Sequence, residues 1–205
     1  MKVNYQNKME EILGYVQTQN KVFKLLLHSC CGPCSTYVLE YLSEYFEILL
    51  LYFNPNIYPS EEYFFREREQ RELIQRLDPK HPIHMLSVRY QPEEYYDAVR
   101  GLEDTPEGGS RCEVCFRLRL TEAAKAAQSE GAEYFTTTLS ISPHKNAQLL
   151  NRLGEEIGEE YGIQYLYSDF KKKGGFLRSV QLTEQLGMYR QDYCGCEFSK
   201  RRLEE

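Results

Sequence analysis

Two short apolar runs, at 22–28 (VFKLLLH) and 48–53 (ILLLYF), set the tightest limit on how this chain folds. Each is dominated by consecutive apolar residues rather than a polar–apolar alternation. Each therefore reads as a strand buried on both faces. Helical patterns separate such runs along the whole chain. Helices are expected at 7–20, 35–45, 60–77, 111–129, 146–161 and 176–187, with a short one after Pro92. In the first, Ile12, Leu13 and Val16 share a side. Ser60 is expected to cap the third, with Glu61 and Glu62 in its first turn, and Gly131 to close the helix at 111–129. Further strands are expected at 83–88, 134–139 and 164–167. Strands alternating with helices specify an α/β fold, a mostly parallel sheet with helices on both faces. At 205 residues the chain suits one domain, at 22–205, preceded by a helical extension at 1–21. No apolar run approaches the roughly 18 residues a membrane span requires, so a membrane is not an expected partner. The polar, acidic N-terminus does not read as a signal peptide, and a reducing cytoplasm is the expected compartment.

In that compartment clustered cysteines are metal ligands or redox groups more often than bridges. Seven occur, in three groups: Cys30-Cys31-x-x-Cys34, Cys112-x-x-Cys115 and Cys194-Gly-Cys196. The first follows a buried strand and precedes a helix, in SCCGPC, where ligands of parallel sheets collect. Gly32 and Pro33 permit the sharp turn that brings several sulfurs together. The second pair opens a helix, and its three-residue separation places both sulfurs on one face. Two thiolates from each group make four soft ligands, which suit zinc and an iron–sulfur cluster equally. Cys194 and Cys196 can bond to each other only across a small strained ring. Such disulfides are labile and redox-active. Reduced surface thiols, or further metal ligands, are the plainer alternatives.

The chain carries a net charge of −6, yet the segment from Lys171 to Arg202 holds eight basic and three acidic residues. A local basic patch of this kind can engage phosphates over the roughly 10 Å that salt leaves unscreened. It also contains the CGC pair, flanked by Tyr189, Arg190 and Tyr193. No GxxxxGK loop, no GxGxxG after a strand and no GxSxG turn occurs, so nucleotide hydrolysis, a bound dinucleotide and a serine hydrolase are not signalled. Electrons in a redox reaction would then pass through sulfur and metal.

LLLHSCCGPCS, YFNPNIYPSEEYFFRERE, GGSRCEVCFRLRL, TTTLSISPHKN and YRQDYCGCEFS, in this order and spacing, resemble the QueH-type epoxyqueuosine reductases from about Lys24 to Ser199. The resemblance implies an oxidoreductase that reduces the epoxide of epoxyqueuosine at the tRNA wobble position to give queuosine. It implies a [4Fe-4S] cluster on Cys30, Cys31, Cys112 and Cys115, a redox-active disulfide at Cys194 and Cys196, and an additional mononuclear iron nearby. Cys34, Asp192 and Asp169 are candidate ligands of that iron. The partners implied are tRNA carrying epoxyqueuosine and an electron donor. For the tRNA, Lys171, Lys172, Lys173, Arg178 and Arg190 are candidate phosphate contacts. Tyr63, Arg66, His144 and Tyr189 are candidates to meet the base or its ring. The expected fold is Rossmann-like, of the ATP-pyrophosphatase/HUP-like kind, with the metal site at the C-terminal strand ends. Two other functions share these features. A tRNA sulfur-transfer enzyme would carry an SGGxDS phosphate loop where this chain has SCCGPCS. A zinc-stapled tRNA-binding protein would need the cysteines but no electrons.

Overall fold

The computed structural model describes residues 3–86 and 88–204, with the side chains of 201–204 left out. Five strands form one sheet: β1 (Phe23–His28), β2 (Phe46–Leu51), β3 (Ile83–Leu86), β4 (Tyr134–Thr137) and β5 (Gln164–Tyr165). Their order is β3-β2-β1-β4-β5 and every pairing is parallel. Among the described residues eight helices accompany them: α1 (Tyr5–Thr18), α2 (Gly32–Leu42), α3 (Ser60–Arg76), α4 (Pro92–Ala98), α5 (Ser110–Glu130), α6 (Ala147–Tyr161), α7 (Gly175–Gln185) and α8 (Glu197–Glu204).

Alternate residues of the central strands divide between two cores. Leu25 and Leu27 of β1, with Ile48 and Leu50 of β2, pack among Met9, Leu13 and Val16 of α1, Val38 and Leu42 of α2 and Leu73 of α3. Leu26 of β1, with Leu49 and Leu51 of β2, packs among Leu120, Ala123 and Ala127 of α5 and Leu150, Leu153 and Ile157 of α6. Helices thus cover both faces, which is why the two runs contain so few polar residues. Each such leucine, sealed from water, contributes about 1.5–3 kcal/mol. Residues 1–21 are expected to be an extension, yet α1 buries three side chains in the same core as β1.

Element ends differ from expectation for local reasons. α2 starts at Gly32 rather than 35, because Pro33 suits a first helical turn and Cys31 takes the N-cap position. Pro59, not Ser60, caps α3; the Ser60 hydroxyl turns to the Glu61 carboxylate instead. The expected strand at 134–139 ends at Thr137 and passes into a 3-10 turn, Thr138–Ile141. The strand at 83–88 is seen as Ile83–Leu86, and Ser87 lies outside the described residues. Gly131 closes α5 at φ +66, a left-handed conformation that favours glycine. Among the described residues no helix is long and apolar enough to cross a membrane.

Candidate functional site

A cavity of about 640 Å³ opens between the segments that follow β1 and β4. Chain order reverses direction across these two neighbouring strands, the position where parallel sheets leave a crevice. One wall is the turn from β1 to α2. There the sulfurs of Cys30, Cys31 and Cys34 lie within 4.8 Å of one another, a donor set suited to a soft metal. Thr138 at the end of β4 braces Cys30, its Oγ1 accepting from the Cys30 amide at 3.1 Å and donating to the sulfur at 3.3 Å. Hydrogen bonds from Cys31 and Cys34, then the charges of Lys145 and Arg119, hold the Cys30 thiol well below its ordinary pKa against burial.

Cys112 and Cys115 stand in the first turns of α5. The amide of Gly108 donates to Cys112 Sγ at 3.2 Å. Burial raises both thiols, Cys115 to about 12. Among the described residues this pair lies outside the close triad of Cys30, Cys31 and Cys34. Cys34, which the sequence left without a secure role, lies inside it.

One turn beyond Cys115 stands Arg119, 2% exposed. Its Nη2 donates to Asn54 Oδ1 at 2.5 Å and its Nε to His28 Nε2 at 3.2 Å. His28 Nε2 also lies 3.0 Å from the Phe53 carbonyl oxygen, and Nδ1 lies 2.9 Å from Thr137 Oγ1. Burial, then the Arg119 charge, lowers His28 to about 3, so the ring is neutral. Asn54 continues the network by donating to the Ser29 carbonyl at 2.9 Å. Ser29 in turn donates to Gln70 Oε1 at 2.7 Å. The cysteine turn thus rests on a hydrogen-bonded floor drawn from β1, α3, α5 and the loop after β2.

The CGC segment forms the opposite wall. Cys194 lines the cavity, whereas Cys196 does not. Cys196 is 7% exposed and packs among Tyr95, Val99 and Cys115. All seven cysteines are free thiols. Three contacts pin the segment: the Tyr58 amide to the Gly195 carbonyl at 2.8 Å, the Cys194 amide to Ser199 Oγ at 3.2 Å, and Ser199 Oγ to Glu107 Oε2 at 3.2 Å. Gly195 adopts φ +113, and a Cβ there would stand 3.1 Å from Arg66 Nη1.

Of the expected substrate contacts, Arg66, His144 and Arg190 face the cavity, as does Asp192, a candidate iron ligand. Arg66 is bonded through Nε to Glu62 at 2.7 Å and lies over the Tyr193 ring at 5.0 Å, while its buried Nη2 has no partner. Tyr63 does not reach the cavity. It is 1% exposed, stacked on Tyr90 at 4.2 Å, with its hydroxyl donating to the Tyr52 carbonyl. Tyr189, 44% exposed, lies in a separate groove against Phe65. Three of the eight basic residues of the segment are paired with acidic neighbours. Lys171 pairs with Asp169 at 2.7 Å, Lys173 with Glu10, and Arg178 with Glu40. Asp169 is thereby engaged away from the cavity, whereas Asp192 lines it. Lys172 is exposed and has no ion pair among the described residues; the side chains of Arg201 and Arg202 lie outside them.

The sequence reading missed Arg119, Lys145 and Glu107. Arg119 was findable, since Cys112, Cys115 and Arg119 fall at i, i+3 and i+7 of one helix face. Lys145 is half-buried on the cavity wall. Burial opposes its charge, yet Cys194, Cys30 and Cys34 raise its pKa, so it stays a fixed ammonium.

Residues 25–202 match the family model described as Epoxyqueuosine reductase QueH. Proteins named Epoxyqueuosine reductase QueH are similar over most of their length. That of Streptococcus pyogenes serotype M1 is 41% identical over 200 residues, covering 97% of this chain and 78% of that protein. That of Staphylococcus epidermidis is 40% identical over 202 residues, covering 97% and 85%. That of Thermotoga maritima is 35% identical over 181 residues, covering 85% and 89%.

Proposed function

We propose how this chain, which belongs to the epoxyqueuosine reductase QueH family, carries out the reduction for which that family is named. It is an oxidoreductase acting on tRNA. Its substrate is epoxyqueuosine at the wobble position, and its product is queuosine. The reaction removes the epoxide oxygen as water and leaves an alkene, which takes two electrons and two protons.

Cys30, Cys31, Cys112 and Cys115 would hold a [4Fe-4S] cluster, and Cys34 with Asp192 a further iron. The soft donor set around Cys30 suits such groups. When bound, they supply single-electron transfer and Lewis acidity toward the epoxide oxygen. The remaining work falls to the chain itself. The dithiol of Cys194 and Cys196 holds the electron pair and both protons that the overall reaction consumes. It closes to a disulfide as it gives them up. Lys145 and the free Nη2 of Arg66 offer positive charge and N–H donors to the oxygen as it becomes negative, in a cavity where such bonds are strong. A wobble nucleotide flipped from the anticodon stack reaches the cavity while Arg190 and Lys172 take flanking phosphates.

One observation carries this reading: Cys30, Cys31, Cys34 and Cys194 line a single cavity together with Arg66, Lys145 and Arg190. Thiol electrons, cations and room for a ring meet there. The test is anaerobic turnover of iron-loaded protein on epoxyqueuosine-containing tRNA, followed by nucleoside analysis. The expected product is the nucleoside lighter by one oxygen; unchanged epoxyqueuosine under a full complement of iron and sulfide defeats the proposal.

A further inference from the structure

The two sulfurs of the CGC pair stand in unlike surroundings. Cys194 is half-buried and on the cavity wall. Cys196 is enclosed, its side chain turned away among Tyr95, Val99 and Cys115. The backbone between them is held at Cys194 N, at Gly195 O and at Cys196 O, which accepts from the Ser199 and Lys200 amides at 3.1 Å. A segment fixed at three successive residues does not readily exchange the positions of its sulfurs. Tyr95, 2% exposed, packs in one cluster with Cys196.

We infer that the pair works in one fixed order: Cys194 is the sulfur that exchanges with an external dithiol, and Cys196 is the enclosed leaving group. This rests on the redox reading of the pair given above. The exchange balances. A thiolate of the donor attacks Cys194 Sγ, the Cys194–Cys196 bond breaks, and Cys196 leaves as a thiolate that takes up a proton. The donor's second thiol then attacks its own sulfur in the mixed disulfide and releases Cys194. The donor is oxidised by two electrons and the pair reduced by two, with two protons passing from the donor dithiol to the pair. Attack on Cys196 instead would need the donor to pass Tyr95 and Val99. Attack at Cys194 needs only the cavity.

The wild-type, iron-loaded protein supplies a test that needs no variant. Reduced protein is pulsed with iodoacetamide, quenched and digested, and fragment masses place the label within the peptide bearing both cysteines. Cys194 is expected to label at least about tenfold faster than Cys196, as exposure and thiolate access dictate. Equal rates, or faster labelling of Cys196, overturn the order. In parallel, Cys196→Ser treated with glutathione disulfide is expected to accumulate a mixed disulfide at Cys194, while Cys194→Ser accumulates none at Cys196. The reverse pattern overturns the inference. Failure of the reading beneath is distinct: diamide then forms no Cys194–Cys196 disulfide in the wild type, whatever the labelling order, and both claims fall.

Discussion

Replacing Gly195 by alanine should loosen the CGC segment without unfolding the protein. The backbone there sits at φ +113, outside the left-handed well that other residues tolerate. Holding an alanine in such a region costs about 1–3 kcal/mol. The new methyl would also meet Arg66 Nη1 at 3.1 Å and Ile57 Cγ1 at 3.2 Å. Neither neighbour retreats easily, since the Arg66 side chain is 4% exposed and bonded to Glu62, and Ile57 is 2% exposed. Against this, alanine lowers the entropy of the unfolded chain by about 0.4–1 kcal/mol. A net local destabilisation of about 1–2 kcal/mol remains. The segment is tied to the body by few bonds, so it opens before the sheet does. Amide hydrogen exchange reads this directly, because the Tyr58 amide bonds to the Gly195 carbonyl and the Cys194 amide to Ser199 Oγ. Both should exchange about 5- to 30-fold faster. Amides of β1 and β2 should keep wild-type protection. Unchanged exchange at Tyr58 and Cys194 would refute the claim that Gly195 is required by backbone conformation and by the closeness of Arg66.

Three further outcomes follow from the same contacts. Arg119→Leu leaves Asn54 Oδ1 without its donor in a sealed site, which costs about 2 kcal/mol; the urea midpoint should fall by about 1 M, and a wild-type midpoint would contradict the buried network. His28 is held neutral to about 3, against an ordinary 6.5. Its burial therefore has no effect on stability above pH 6.5. Below that, the unfolded chain takes up the proton first and stability falls, by about 2 kcal/mol at pH 5. Urea unfolding from pH 7.5 to 5 should show this decline and His28→Gln should flatten it; parallel profiles would oppose the assignment. Lys172→Ala and Arg190→Ala should each lower the salt dependence of tRNA binding by about one phosphate contact, while Lys173→Ala, already paired with Glu10, should not; equal losses from all three would contradict the pairing.

Much of the fold could be read from the chain because burial on two faces leaves a local mark: the runs around Leu26 and Leu50 announce central parallel strands by lacking alternation. The cysteine groups were legible for a similar reason, since their spacing is set by turns and single helix faces. Long-range pairing leaves no such mark. That Glu10 and Glu40 neutralise Lys173 and Arg178 follows only from how α1 and α2 pack, so the basic segment looked freer than it is. Tyr63 was misplaced because α3 is rich in charge. Its buried residues, Tyr63, Arg66, Gln70 and Leu73, nonetheless fall on one helical stripe that includes two polar side chains. Lys145 precedes α6 in an ordinary-looking turn, and only the approach of the β1–α2 cysteine turn and the CGC segment makes it part of a site.

The central claim is that electrons held by Cys194 and Cys196 leave through the cavity that Cys194 shares with Cys30, Cys31 and Cys34. Its most direct test is a single turnover. Iron-loaded protein is reduced, freed of reductant without oxygen, and mixed with epoxyqueuosine-containing tRNA; nucleosides and cysteine peptides are then measured from the same sample. The account predicts queuosine and the Cys194–Cys196 disulfide in equal amounts. Queuosine formed while both thiols remain reduced would contradict it.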